Sequence, residues 1–118
     1  MNSPDIQPAT TALAKPERRL HPRYTVQVQI EIHQQTTRIP LRCVTTDLSR
    51  GGCYVQLVTQ FPLGVHVRAT LWLDGFPIVI RGLIVTRHPQ FGNGIMFLEF
   101  EGDAEQLLTR YLKAIPAA

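Results

Sequence analysis

Two short polar clusters carry the residue types that could do chemistry in this chain: Arg18-Arg19-Leu20-His21-Pro22-Arg23 and Asp47-Leu48-Ser49-Arg50-Gly51-Gly52. In the first, Arg19 and Arg23 are separated by three residues, and Arg18 stands directly before them. Guanidinium groups are planar and permanently charged. They fork onto phosphate oxygens and stack on flat aromatic rings, two tasks that lysine performs poorly. Stacking such a group on a base contributes about 0.5–2 kcal/mol, depending on how far it is desolvated. In the second cluster, Asp47 offers two carboxylate oxygens to the N–H edge of a guanine, and Ser49 adds a third acceptor. Gly51 and Gly52 supply φ > 0 or let another molecule approach the backbone closely. Each cluster alone has a plainer reading, a solvated basic loop in one case and an Asx-type hairpin turn in the other. Together they present acceptors for a purine edge and cations for phosphate, the donor set of a nucleotide site.

Hydrophobic alternation indicates what positions them. Residues 1–16 carry three prolines among Ser, Thr, Ala and Gln and show no periodicity, so they read as a flexible tail. Tyr24, Val26, Val28, Ile30 and Ile32 alternate with polar residues, the period-two signature of a half-buried strand. A second strand takes Ile39, Leu41, Cys43 and Thr45 inward and runs into the 47–52 turn. A third carries Cys53, Val55 and Leu57. A fourth places Val65, Val67, Ala69, Leu71 and Leu73 on one face and Trp72 on the other, where it is expected to cover the inner face of a later helix. Asp74-Gly75 is a tight-hairpin signal. It leads to a fifth strand over 76–87, interrupted at Gly82, then a loop over 88–93 and a sixth strand over 94–100. Asp103 with Gln106 has the form of a capping box opening a helix over about 103–115. Leu107, Leu108, Tyr111, Leu112 and Ile115 supply its apolar stripe. Six strands, short turns and one late helix predict a mainly β fold, a small antiparallel barrel whose open end the helix covers.

Composition narrows the function. At 118 residues the chain is the size of one domain. A net charge of +3 fits an anionic partner without approaching the positive charge of a non-specific DNA binder. Lys15, Arg18, Arg19 and Arg23 concentrate much of the excess in one loop. A single-strand nucleic-acid barrel would need exposed aromatics interleaved with basic residues, and only Tyr54 and Trp72 approach that, so no nucleic-acid polymer is expected. His21, His33, His66 and His88 are scattered without ligand spacing, so no metal is expected. Ser49 has no strand-to-helix elbow or oxyanion helix behind it, so the chain reads as a non-enzyme without a cofactor. Cys43 and Cys53 read as small buried hydrophobes of a reducing compartment, with a disulfide between them left open because they flank the central turn. No leader pattern opens the sequence and no apolar run approaches the roughly 20 residues that span a bilayer. The expectation is a soluble cytoplasmic protein without membrane insertion.

The two clusters resemble the motifs of PilZ domains. Arg19-Leu20-His21-Pro22-Arg23 matches their RxxxR motif, and Asp47 to Gly52 matches their [DN]xSxxG motif, with about two strands between them. Gly94-Ile95-Met96-Phe97 is similar to the GxxF-type last strand of that family. The resemblance covers roughly residues 17–100, with the helix as a usual C-terminal addition, giving one PilZ domain over 17–116 with its barrel over about 23–100. It implies a six-stranded β-barrel that acts as a receptor for the bacterial second messenger cyclic di-GMP. At the matching positions it implies that Arg19 and Arg23 grip phosphate and stack on or bond guanine. Asp47 and Ser49 would recognise a guanine edge, and Gly52 would permit close approach. Gly51 is added from the backbone argument and Arg50 as a further candidate contact. Arg18 supplies a third guanidinium, which would suit two mutually stacked ligand molecules per chain. The implied role is a stand-alone adaptor that passes the signal to an unidentified partner protein. The alternatives are a ligand-free interaction module on the same barrel or, further off, a single-stranded nucleic-acid binder.

Overall fold

The computed structural model describes residues 21–36, 39–57 and 61–116, so the expected tail over 1–16 lies outside the described residues. Six strands follow one another: β1 Gln29–Gln34, β2 Leu41–Leu48, β3 Gly52–Gln56, β4 His66–Leu73, β5 Phe76–His88 and β6 Gly92–Phe100. Helix α1, Ala104–Lys113, comes last. The strands close into an antiparallel barrel in the order β1-β2-β3-β6-β5-β4, with β4 returning to β1. Period-two alternation drives the closure. Ile30 and Ile32 on β1, Val67, Ala69, Leu71 and Leu73 on β4, and Ile78, Ile80 and Ile84 on β5 are all buried. Each valine, leucine or isoleucine among them contributes about 1.5–3 kcal/mol when removed from water. Ala104, Leu108 and Leu112 of α1 join the same core, so the helix docks by its apolar stripe rather than by propensity alone. At Asp74-Gly75, φ is 51° and 88°, the double left-handed geometry of a two-residue hairpin that matches strand twist.

The departures from expectation have local causes. The first ladder starts at Gln29, not Tyr24, because a threonine replaces the backbone there. The buried Thr45 hydroxyl accepts from Val28 N at 2.9 Å and donates to the Val26 carbonyl at 2.8 Å. The incoming chain is held by that side chain, by the Thr45 N–H donating to the Val28 carbonyl at 3.0 Å, and by one bridge, Tyr24 to Leu48. Thr45→Val preserves the shape but leaves both backbone groups without this partner. It should lower the unfolding free energy by about 1–3 kcal/mol, read from urea denaturation; a wild-type midpoint would remove this role from Thr45.

Strand β2 begins at Leu41, since Pro40 has no N–H to give a ladder, and Ile39, expected inward, is 76% exposed. Asp47 and Leu48 belong to β2 and Gly52 to β3, which shortens the expected turn to residues 49–51. Strand β5 continues through Gly82, where the interruption takes the form of a register shift against β6 between Arg81 and Gly82, and the expected 88–93 loop shrinks because His88 already pairs with Gly92. Asp103 does not cap α1 with its side chain among the described residues. Its backbone is already near-helical at φ −88° and ψ 11°, whereas a capping residue normally sits in the β region. Trp72 carries the Arg42 guanidinium 5.4 Å above its ring, while α1 packs on β5. Cys43 and Cys53 are free thiols: Cys43 stands opposite Ile30, and Cys53 opposite Leu48 and Ile95, so the two do not face each other. Burial pushes the Cys43 thiol up to about 11, and burial together with the nearby Asp47 charge pushes Cys53 higher still. Both therefore stay protonated and unreactive at neutral pH.

Candidate functional site

The site is assembled where the incoming chain crosses the end of β2. Tyr24 and Leu48 exchange both backbone hydrogen bonds at 2.9 Å, which pins residue 24 beside the residue after Asp47. This brings Arg23 onto Asp47, with Nε 3.8 Å from Oδ1. That is an ion pair, too long for a hydrogen bond. Asp47 Oδ1 is buried and accepts no hydrogen bond among the described residues. Leaving a buried acceptor unmade costs about 1–3 kcal/mol, a cost that folds tolerate mainly where function requires it. Asp47 is placed by an irregularity in the β2–β3 ladder, where the register shifts between Thr45 and Asp47. A bulge of this kind re-aims the side chain that follows it.

Ser49 builds the turn itself. Its Oγ accepts from Gly51 N at 3.0 Å and Gly52 N at 3.2 Å and donates to the Gly52 carbonyl at 3.3 Å. Its backbone N–H donates to the same carbonyl at 2.8 Å. The hydroxyl is thus occupied by the turn, and its value to a ligand lies in the shape it imposes. Neither Gly51 nor Gly52 uses a positive φ, contrary to one of the two reasons given for them. Gly52 is required for another reason: a Cβ there would collide with the Ile95 carbonyl of β6, which passes directly over it. Gly52→Ala should therefore destabilise the barrel by about 1–3 kcal/mol through overpacking. Thermal unfolding would show it, and a wild-type melting temperature would mean that β6 yields freely.

These residues surround an open cleft of about 310 Å³. His21 and Arg23 form one wall, Ser49, Gly51 and Gly52 the floor, and Val85, Thr86, Gly94 and Met96 the far wall. The far wall is absent from the sequence motifs. It arrives through pairing, because Gly52 lies opposite Met96 and Tyr54 opposite Gly94 on β6. Outward alternation alone marks Met96 and Val85 as exposed, but nothing local in the sequence says which turn they adjoin. Arg23, Ser49, Gly51 and Gly52 of the expected set line the cleft, with Asp47 behind Arg23. Arg18 and Arg19 lie outside the described residues. Arg50 does not line this cleft; it turns toward α1, where Nη2 lies 3.4 Å from Glu105 Oε2. Among the described residues no group of three His, Cys, Asp or Glu side chains gathers as a metal site. No helix of the described residues is long and apolar enough to cross a membrane.

The sequence matches the family model of the PilZ domain over residues 17–114. The chain belongs to the PilZ domain family. Solved structures agree on the PilZ fold. The Bacillus subtilis inhibitor of motility superposes with a TM-score of 0.67 at 18% identity, over 80% of this chain but only 48% of that protein. The PilZ domain of CeSA from a cellulose-synthesising bacterium superposes with a TM-score of 0.60 at 22% identity, over 75% of this chain and 91% of that one. Among curated proteins none matches the sequence. At these identities the two structures speak to the barrel alone, and the PilZ cleft has to be interpreted from its own residues.

Proposed function

We propose that this PilZ domain binds cyclic di-GMP in the cleft between Arg23 and β6 and passes the signal to a partner protein by contact. The observation that carries the reading is the Arg23–Asp47 pair, in which Arg23 lines the cleft and Asp47 lies behind it. A half-exposed cation rests there on a carboxylate oxygen that has no hydrogen-bond donor among the described residues. A guanine edge supplies the donors Asp47 lacks, and the freed guanidinium takes a phosphate or stacks on a base. Arg19 would join Arg23, and Gly51 and Gly52 leave the floor open to a flat ring. Ligand capture would reshape the surface around residues 21–23 that a partner meets, a population shift with differential contacts in the two states.

Calorimetric titration with cyclic di-GMP, run beside GTP, tests the reading. Saturable heat for the dinucleotide and none for GTP supports it, and a well-folded sample that stays silent overturns it. A stoichiometry near two per chain is the outcome expected if Arg18 helps hold a second stacked molecule; a value near one removes that role.

A further inference from the structure

Arg50 stands between Ser49 and Gly51 in the turn that floors the cleft, yet its side chain lies in a different groove. It reaches across the surface to the first turn of α1 and meets Glu105 at 3.4 Å. The two side chains are 43% and 57% exposed, so solvent screens the pair and it exchanges readily. A phosphodiester in the cleft is the better partner. Its two equivalent oxygens fit the fork of a guanidinium, where Glu105 takes a single contact at the long end of the range. The backbone of Arg50 already adjoins the cleft, and only the side chain has to swing.

We propose that Glu105 is a positioning residue that holds Arg50 out of the cleft, so that helix α1 and the ligand's phosphate compete for one guanidinium. The inference rests on the cyclic di-GMP reading and adds a residue that neither motif contains. Linkage makes the competition reciprocal: the tie weakens ligand binding, and bound ligand weakens the Arg50–Glu105 tie by the same factor, which removes a support from the first turn of α1. That turn has no side-chain cap from Asp103 to fall back on among the described residues. A neighbouring tie of the same kind, Arg68 to Glu101 at 3.3 Å, involves no residue of the cleft and serves as the control.

The test is calorimetric titration with cyclic di-GMP of wild type, Glu105→Gln, Arg50→Ala, the double variant and Glu101→Gln. Glu105→Gln should bind about twofold to fivefold tighter, the span open to an exposed pair. Glu101→Gln should bind as wild type, and Glu105→Gln should have no effect once Arg50 is alanine. A gain in affinity is a signature that damage to the fold does not produce. Hydrogen exchange gives a second readout, in which Arg50→Ala speeds exchange at the start of α1 without ligand, and cyclic di-GMP does the same in wild type. If Glu105→Gln binds as wild type, or tightens binding equally with and without Arg50, the competition is overturned and the receptor reading stands. If wild type and all variants bind nothing while Arg50→Ala still loosens α1, the receptor reading has failed and the competition with it.

Discussion

Arg23→Ala is expected to weaken cyclic di-GMP binding by about 2–5 kcal/mol while leaving the barrel nearly as stable as wild type. A charge-assisted hydrogen bond contributes about 1.5–3 kcal/mol, and stacking on a base about 0.5–2 kcal/mol. At about 1.4 kcal/mol per decade, the loss spans roughly thirtyfold to several thousandfold. Stability should hardly move, because the Arg23–Asp47 pair is long and its arginine 44% exposed, and exposed pairs contribute less than about 1 kcal/mol. Arg23→Lys separates charge from shape. It keeps the cation but loses the planar fork, so it should fall between wild type and alanine. Titration calorimetry measures the affinities and urea denaturation the stabilities. An alanine variant that binds as tightly as wild type would place the ligand elsewhere.

Where one face is buried, the fold was legible, because alternation reports burial directly. The inward set of β4 over 67–73 could be read residue by residue, and so could Leu108 and Leu112 of α1, whereas buried Ala104 fell outside the expected stripe. Side chains that replace backbone partners were not legible. Nothing in the pattern around residue 45 says that a threonine hydroxyl will serve Val28 and Val26 in place of a ladder rung. Likewise Asp103 carries a capping signature, but the chain enters α1 in a near-helical conformation, not the β-region geometry of a capping residue, and its side chain makes no cap hydrogen bond among the described residues. Single-residue chemistry of this kind depends on the backbone path, and sequence periodicity is blind to it.

The site divides along the same line. Its near wall and floor were legible as residue types, since arginine pairs and an Asp-x-Ser-x-x-Gly turn are local features. Its far wall was not, because Thr86, Gly94 and Met96 adjoin the turn only through β3–β6 and β5–β6 pairing. Gly52 shows how a residue can be singled out for one reason and be needed for a second. Gly52 was expected to make room for a ligand, and the room it makes is also for the Ile95 carbonyl. Ser49 was expected to face a guanine, and its hydroxyl is spent on the turn. Both residues position the cleft even where they do not touch what enters it.

Asp47→Ala should therefore behave unlike a loss of either kind. In most strand positions, removing a partly buried polar side chain breaks a hydrogen bond and costs stability. Here the buried oxygen has no hydrogen bond to lose among the described residues, so the desolvation it suffers is relieved, which offsets the weak ion pair to Arg23. The unfolding free energy should change by less than about 1 kcal/mol, in either direction. Ligand binding should fall by about 2–4 kcal/mol, because two acceptors for a guanine edge disappear at once. Asp47→Asn keeps one acceptor oxygen and should fall less. The alanine variant has to be measured in both assays on one preparation. If instead it loses several kcal/mol of stability and binds normally, the carboxylate is there for the barrel. Stability held while affinity collapses is the pattern of a group kept strained for what it receives.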